Sequence, residues 1–167
     1  GWPGIAIDEE HGGQGLGVIE LSILCEELGR TVAPVPFLPS AMAALLIQHG
    51  GSAEQQRRWL PELAAGRLTG AVAEATDGVA ELAIGGADAD VFVLIEDDGS
   101  ARVLASGEAE VSPLAAVDPT RSAARVSAGA AGDPLPDGCA GLGRALVAIS
   151  AELVGVCDRA LEMTVAY

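Results

Sequence analysis

The segment from Gly141 to Tyr167 is apolar over more of its circumference than one helix can bury against a single neighbour. Its apolar residues recur at alternating steps of four and three, the spacing of a helix that packs lengthwise against other helices. They are Leu142, Leu146, Ile149, Leu153, Val156 and Ala160, with a second line at Val147, Val154, Leu161 and Val165. We therefore expect its partner helices to lie beyond these residues or in another chain.

Three further helices are predicted near the start of the chain. The first covers residues 16–32, where the apolar spacing predicts one buried face. That face comprises Leu16, Ile19, Ile23, Leu24, Leu28 and Val32. The second covers residues 40–49 and ends at two glycines. The third follows Ser52, which forms a capping-box pattern with Gln55.

Residues 69–137 differ in character, because short Val-rich runs alternate there with Gly, Asp and Pro. The runs are "LTGAVAEA", "VFVLIEDDGSARVLASG", "AEVSPLAAVD" and "SAARVSAG". In the second run, Asp98-Gly99 lies between two apolar stretches, which is a strong hairpin signal. The sequence therefore predicts a small β domain between the helical segments, and an α+β fold.

Charge and cysteine content exclude several functions. The net charge is −15, and the chain has no arginine cluster, so a nucleic-acid backbone would be repelled. No run approaches the roughly 18 apolar residues of a membrane helix, and we expect a cytoplasmic protein without membrane contact. The three cysteines are widely spaced and odd in number, which favours buried thiols over a disulfide framework or a metal site.

The stretch "EEHGGQGLG" at residues 9–17 precedes the first helix and could be mistaken for a phosphate-binding loop. Its glycines lack the G-x-G-x-x-G spacing, and no parallel βαβ unit surrounds them. Asp8, Glu9 and Glu10 would also repel a phosphate. We interpret the stretch as a structural turn in which glycines supply positive φ angles and the acids face the helix N-terminus.

The order of these parts resembles the acyl-CoA dehydrogenase family. The residues "GWPGIAIDEEHGGQGLGVIELSILCEELGRTVAPVPFLPS" are similar to the family's N-terminal helical region, and "GSAEQQRRWLPELAAGRLTGAVAEA" to its next block. The family's central strands resemble "ADADVFVLIEDDGSARV", its Asp-x-Thr-Arg turn resembles "AVDPTR", and its first bundle helix resembles "AELVGVCDRALEMTVAY". The resemblance covers most of the chain and rests on the order of the motifs.

The resemblance implies an N-terminal helical domain at residues 1–68 and a small, barrel-like middle β domain at 69–137. Residues 138–167 would form the first helix of a C-terminal four-helix bundle. It also implies FAD as cofactor, an acyl-CoA substrate, an electron-transfer acceptor and an oligomer of related chains. The family's catalytic glutamate lies in the bundle beyond a motif that these residues do not reach, so no catalytic residue is assigned.

The resemblance places the cofactor contacts at Val72, Ala73 and Glu74. The family has Val-Thr-Glu-Pro here, so Ala73 replaces the threonine that meets the flavin, and only backbone hydrogen bonds remain. The Gly-Ser-Asp turn that touches pyrophosphate is absent after Gly78, and so is the Lys-x-aromatic loop that covers the flavin. The chain from Gly78 to Ala87 is shorter than the family's by something like two strands.

Two functions from different classes remain open on these observations. The chain is part of an FAD-dependent acyl-CoA dehydrogenase, or it is a non-catalytic partner subunit that completes an assembly without binding flavin. An unrelated helical interaction module is disfavoured by the motif order. We expect surface or capping roles for His11 and His49. We interpret Glu152, Asp158 and Glu162 as polar residues of the final helix, not as catalytic acids.

Overall fold

The computed structural model describes all residues from Gly1 to Tyr167 and confirms the predicted α+β class. Its helices are α1 (Val18–Arg30), α2 (Phe37–Gly50), α3 (Ala53–Ala64) and α4 (Leu142–Ala166). Its strands are β1 (Gly70–Ala75), β2 (Val79–Ile84), β3 (Val91–Glu96), β4 (Ala101–Ala105), β5 (Glu110–Pro113), β6 (Ala123–Ser127) and β7 (Asp133–Pro134). Only β2 and the two-residue β7 were not predicted. Both lack a clear alternation of large apolar residues.

The local signals for helix α3 and for the β3–β4 hairpin are confirmed. The amide of Ser52 donates to Oε1 of Gln55 at 2.8 Å, and the amide of Gln55 donates to Oγ of Ser52 at 3.3 Å, which completes the capping box. In the hairpin, the amide of Gly99 donates to the carbonyl of Glu96 at 2.9 Å, and Gly99 has a φ of 82°. That left-handed conformation explains the glycine at the turn.

The strands form two sheets, with the helices packed on one side. The larger sheet has the order β1-β3-β4-β7, with β1 parallel to β3, and the smaller has the order β2-β6-β5. Val91 and Val93 face helices α2 and α3, whereas Phe92 and Leu94 face the smaller sheet. The sheets do not close into a barrel, so the barrel-like expectation describes the architecture only loosely. The three predicted domain boundaries stay a prediction.

Helices α1 and α4 run in the same direction and approach each other through small residues. A Cβ on Gly29 would lie 2.1 Å from the carbonyl oxygen of Glu152, and one on Gly155 would lie 1.9 Å from that of Glu26. Arg30 at the end of α1 pairs with two acids of α4, Asp158 and Glu162. The two backbones are therefore in direct contact, which only glycine allows at these positions.

The predicted buried face of α1 is wrong. Leu21, Cys25 and Gly29 are its buried residues, whereas Ile19 and Ile23 of the predicted stripe are exposed. Helix α4 likewise buries Ala145, Ala148 and Gly155 instead of its larger residues. The reason is the close backbone approach, which favours small side chains at the contact and leaves the large ones outside.

The glycine-rich stretch before α1 is a structural turn. Gly12 and Gly15 have positive φ angles, and a Cβ on Gly13 would lie 1.9 Å from the carbonyl oxygen of Ile7. The amide of Gly17 donates to Oε2 of Glu20 at 2.9 Å, so a glutamate and not a ligand caps the helix. Of the four glycines in this stretch, Gly13 and Gly17 do not have the positive φ angles that were expected.

Two further expectations about single side chains are corrected. His11 is buried with only 8% of its surface exposed, although a surface or capping role was expected. All three thiols were expected to be buried, but only Cys25 is. Cys139 is half-buried, and Cys157 is exposed because it lies on the outer face of α4. None of the four α-helices combines the length and the hydrophobicity that a membrane-spanning segment requires.

Candidate functional site

The two sheets separate at one corner, where β1 turns into β2. Thr76 and Val79 exchange two backbone hydrogen bonds of 3.0 Å, and Asp77 and Gly78 between them both have positive φ angles. This is the two-residue turn typical of a tight hairpin. Beyond it, β1 joins the larger sheet and β2 the smaller one, so each is an edge strand facing a gap.

An apolar cleft of about 270 Å³ fills this gap and reaches the helices. Helices α2 and α4 form two of its walls, and the edge strands β1 and β2 form the others. Its lining residues are Leu38, Pro39, Met42, Val72, Ile84, Arg121, Ile149, Glu152 and Leu153. A concave, mostly apolar site with a few polar groups is the usual form of a small-molecule site.

The structure brings one of the three predicted cofactor-contact residues into the cleft. Val72 lines it, whereas Ala73 is 6% exposed with its side chain in the core between the sheets, and Glu74 is exposed to solvent. Their role as cofactor contacts stays a prediction. For Val72 and Glu74 it depends on the backbone, because an edge strand offers unpaired amide and carbonyl groups at alternate residues.

One backbone group at the free edge of β1 bonds to a side chain outside the sheet. The amide of Gly70 donates to Oγ of Ser40 on α2 at 3.0 Å. Backbone groups alternate sides along a strand, so Val72 and Glu74 present theirs at the same edge as Gly70. This edge can donate and accept hydrogen bonds at the gap where the cleft lies.

Two charged side chains, Arg121 and Glu152, belong to the cleft. Arg121 lies in the predicted Asp-x-Thr-Arg turn between β5 and β6, and its Nη2 is 2.8 Å from Oε1 of Glu152. This hydrogen bond raises the pKa of Arg121. In the same turn, Asp118 accepts hydrogen bonds from the hydroxyl and the amide of Thr120, which lower the pKa of Asp118.

Sequence reasoning missed that Glu152 belongs to the cleft. It was interpreted as an ordinary polar residue of the final helix, together with Asp158 and Glu162. Its side chain is only 12% exposed, whereas theirs are 48% and 42% exposed. Its position between Ile149 and Leu153, two members of the predicted apolar stripe, was the signal that could have identified it.

The turn that follows β1 is strongly acidic, unlike the cleft. Beside the Asp77–Gly78 turn lies an open cavity of about 600 Å³ lined by four carboxylates, those of Asp77, Glu96, Asp97 and Asp98. Its single cation, Arg102, already pairs with Glu96 and donates from Nη1 to the carbonyl of Ala131 at 3.1 Å. Four acids with one occupied arginine repel a polyanion.

The residues of the cleft and of the acidic cavity fit different parts of the expected FAD to different degrees. The cleft and the β1 edge fit an uncharged ring or hydrocarbon group. The acidic cavity does not fit the pyrophosphate of FAD, although the family resemblance places phosphate contacts directly after β1. The residues present therefore provide no phosphate partner at this turn.

The outer face of α4 is apolar and exposed. Its large exposed residues are Leu146, Val147, Leu153, Val154, Val156, Leu161, Met163 and Val165. An apolar face of this extent is typical of a surface that packs against other protein segments.

Comparisons with known proteins agree with the fold and with the motif order. Residues 1–67 match the family described as "Acyl-CoA dehydrogenase, N-terminal domain". Acyl-CoA dehydrogenase IpdE2 of Mycobacterium tuberculosis is 32% identical over 98% of this chain and 48% of its own length.

Two solved structures extend the similarity to the whole fold. A Tcur3481-Tcur3483 steroid ACAD variant superposes with a TM-score of 0.83 at 26% identity, over 100% of this chain and 54% of that one. The ChsE4-ChsE5 complex from Mycobacterium tuberculosis superposes with a TM-score of 0.79 at 26% identity, over 99% of this chain and 54% of that one. The chain spans about half the length of these proteins. In sequence, element order and fold, the chain belongs to the acyl-CoA dehydrogenase family.

Proposed function

We propose that this chain is part of an acyl-CoA dehydrogenase that introduces a double bond between the α and β carbons of an acyl-CoA thioester. The observation that supports this proposal most is the apolar cleft between β1, α2 and α4, in a chain of this family. Its volume of about 270 Å³ and its hydrocarbon walls suit an acyl group. FAD would accept the hydride in such an assembly.

The residues of this chain would bind and orient the substrate. Leu38, Met42 and Leu153 would exclude water from the acyl group, which strengthens electrostatic interactions at a reacting carbonyl. The backbone groups of Val72 and Glu74 would supply hydrogen bonds at the β1 edge. Glu152 is a poor candidate for the base, because Arg121 occupies its carboxylate. The base and the phosphate partners of the cofactor would come from protein outside these residues.

A direct test is the oxidation of acyl-CoA thioesters by the purified assembly, with an electron-accepting dye as readout. We expect activity that falls when the cleft is filled by Met42→Trp, because the side chain of Met42 lines it. Ser150→Ala on the exposed side of α4 is the control and should leave the rate unchanged. An assembly that reduces no dye with any acyl-CoA would contradict the proposal.

A second candidate function is a non-catalytic partner subunit. The acidic cavity at the end of β1 and the alanine at position 73 favour it, because neither offers a contact to a flavin dinucleotide. The names Tcur3481-Tcur3483 and ChsE4-ChsE5 each join two proteins, which agrees with assemblies of related chains. We expect such assemblies here, with the exposed face of α4 as one contact, an electron-transfer acceptor and a cytoplasmic location.

The two candidates differ in flavin content. A preparation of this chain alone should show the visible absorption of flavin if the chain binds FAD itself. If only co-expression with a related dehydrogenase chain produces a yellow complex, and mutation of that chain removes the colour, the partner function is supported. Equal flavin in both separated chains would exclude it.

A further inference from the structure

We propose that the ion pair between Arg121 and Glu152 restricts the cleft to uncharged acyl groups. The inference rests on the proposed function of the cleft as an acyl site and adds the class of acyl group that it accepts. The pair would determine specificity, and neither residue is given a part in bond making or breaking.

The geometry holds Glu152 firmly at the cleft. On one side of α4, its backbone carbonyl lies where α1 crosses, so close that a Cβ on Gly29 would be 2.1 Å away. Its side chain is 12% exposed and accepts the hydrogen bond from Arg121 at 2.8 Å. The contact with α1 therefore fixes the backbone of Glu152, and the ion pair holds its carboxylate beside Arg121.

Arg121 is the only cation of the cleft, and its charge is already balanced. Besides Glu152, Asp118 lies 3.9 Å from its Nε. The guanidinium also borders an adjoining cavity of about 240 Å³, whose other charged residue is Asp88. An acyl group with an ionised end would therefore meet the carboxylate of Glu152 and one arginine that already has partners.

The remaining walls add no charge of either sign. The other seven lining residues are apolar side chains of α2, α4 and the edge strands. A hydrocarbon end loses little on entering such a site, whereas a carboxylate must give up its hydration without a free partner. Rejection by an unfavourable charge is a common source of specificity.

The test compares two thioesters of the same uncharged carrier. They differ only at the end of the acyl chain. The probes are the N-acetylcysteamine thioesters of octanoic acid and of suberic acid, the second of which ends in a carboxylate. Neither probe carries the phosphates of CoA, so the acidic cavity does not affect the result. Calorimetry measures both affinities for the protein and its variants.

We expect the unaltered protein to bind the octanoyl probe at least about tenfold more tightly than the suberoyl probe. Glu152→Gln keeps the shape of the side chain but leaves Arg121 without its main counter-charge. We expect this variant to bind the suberoyl probe about tenfold more tightly than the unaltered protein does, with octanoyl affinity changed by no more than about threefold. A purely structural role of the pair would not produce a gain confined to the charged probe.

Glu81→Gln is the matched control, because Glu81 pairs with Arg125 at 3.1 Å on the surface, with side chains 77% and 41% exposed. It removes the same charge from the chain and should change neither affinity. Glu152→Asp, which retains the charge on a shorter side chain, serves if the glutamine variant fails to fold, and should show a smaller gain in the same direction.

The outcomes separate the two proposals. Octanoyl binding with an unchanged preference in both Glu152 variants overturns the specificity role and leaves the acyl site intact. Equal gains in Glu152→Gln and Glu81→Gln also overturn it, because the effect would then be one of total charge. Binding of neither probe to the unaltered protein removes the acyl site itself, and the specificity role with it.

Discussion

Two sites along one short stretch of the chain differ in charge. Val72, in the middle of strand β1, borders an apolar cleft whose two charges balance each other. Asp77, in the turn that follows β1, borders a cavity with four carboxylates and one occupied arginine. The comparison shows that a family fold can keep the shape of a site while the residues around it lose part of the expected chemistry.

The largest effect is expected from a substitution that forces α4 away from α1. Because α4 is a wall of the cleft, the shift would also open the cleft. In Gly155→Ala, the new Cβ would lie 1.9 Å from the carbonyl oxygen of Glu26 and 2.8 Å from the amide of Arg30. Both are backbone atoms that cannot rotate away, so the helices must shift. We expect a loss of about 3 kcal/mol in the free energy of unfolding, measured by urea denaturation.

Gly143→Ala is the control for this prediction, because a Cβ at Gly143 meets nothing within 4 Å. Alanine in an exposed helical position should stabilise the protein by about 0.5–1 kcal/mol. Similar destabilisation by both alanines would contradict the direct contact between α1 and α4.

The acidic end should depend on its single arginine. In Arg102→Gln, the carboxylate of Glu96 loses its partner at a site where the two side chains are 15% and 19% exposed. We expect a loss of about 2 kcal/mol in the free energy of unfolding, below the value for a fully buried pair because some solvent reaches it. Arg125→Gln removes an exposed pair and should cost under about 1 kcal/mol. If Arg102→Gln and Arg125→Gln lost the same free energy of unfolding, the acids at the turn would not depend on Arg102 for stability.

Much of the fold could be predicted because its signals are local. The capping box at Ser52 and the Asp98-Gly99 turn each depend on a few neighbouring residues, and both are confirmed. The buried faces of α1 and α4 could not be predicted from apolar spacing. There, backbone contact at Gly29 and Gly155 reverses the usual preference for large residues at an interface.

The candidate site was harder to predict because distant segments form it. Arg121 and Glu152 are 31 positions apart and come from a loop and a helix that share no local sequence pattern. The assignment of Val72, Ala73 and Glu74 located the correct strand. However, the side chains of one strand alternate between its two faces, so only Val72 lines the cleft.

A substitution at Ala73 examines that alternation directly. Ala73→Thr introduces the residue typical of the family, but here it would place a hydroxyl in the core between the sheets, where Ala73 is 6% exposed. We expect a loss of about 1 kcal/mol in the free energy of unfolding. Glu74→Thr, at an exposed position of the same strand, should stay within about 0.5 kcal/mol. A stabilising Ala73→Thr would show that its side chain faces the cleft.

The smallest effect concerns the thiol behind the cleft. Burial and then the charge of Glu152 raise the pKa of Cys25 from 9.0 to about 12. The folded state therefore prefers the neutral thiol, and this contribution to stability is present below pH 9.0 and is lost as the pH rises toward about 12. At a pH near 9, iodoacetamide should alkylate the exposed Cys157 about 100-fold faster than Cys25, as mass spectrometry of the labelled peptides can measure. Glu152→Gln removes the negative charge that contributes to the raised pKa of Cys25, and it should modestly accelerate the alkylation of Cys25. Glu81→Gln should not. Equal alkylation rates of the two thiols in the unaltered protein would show that α4 does not cover Cys25, and the cleft would then lack one of its walls.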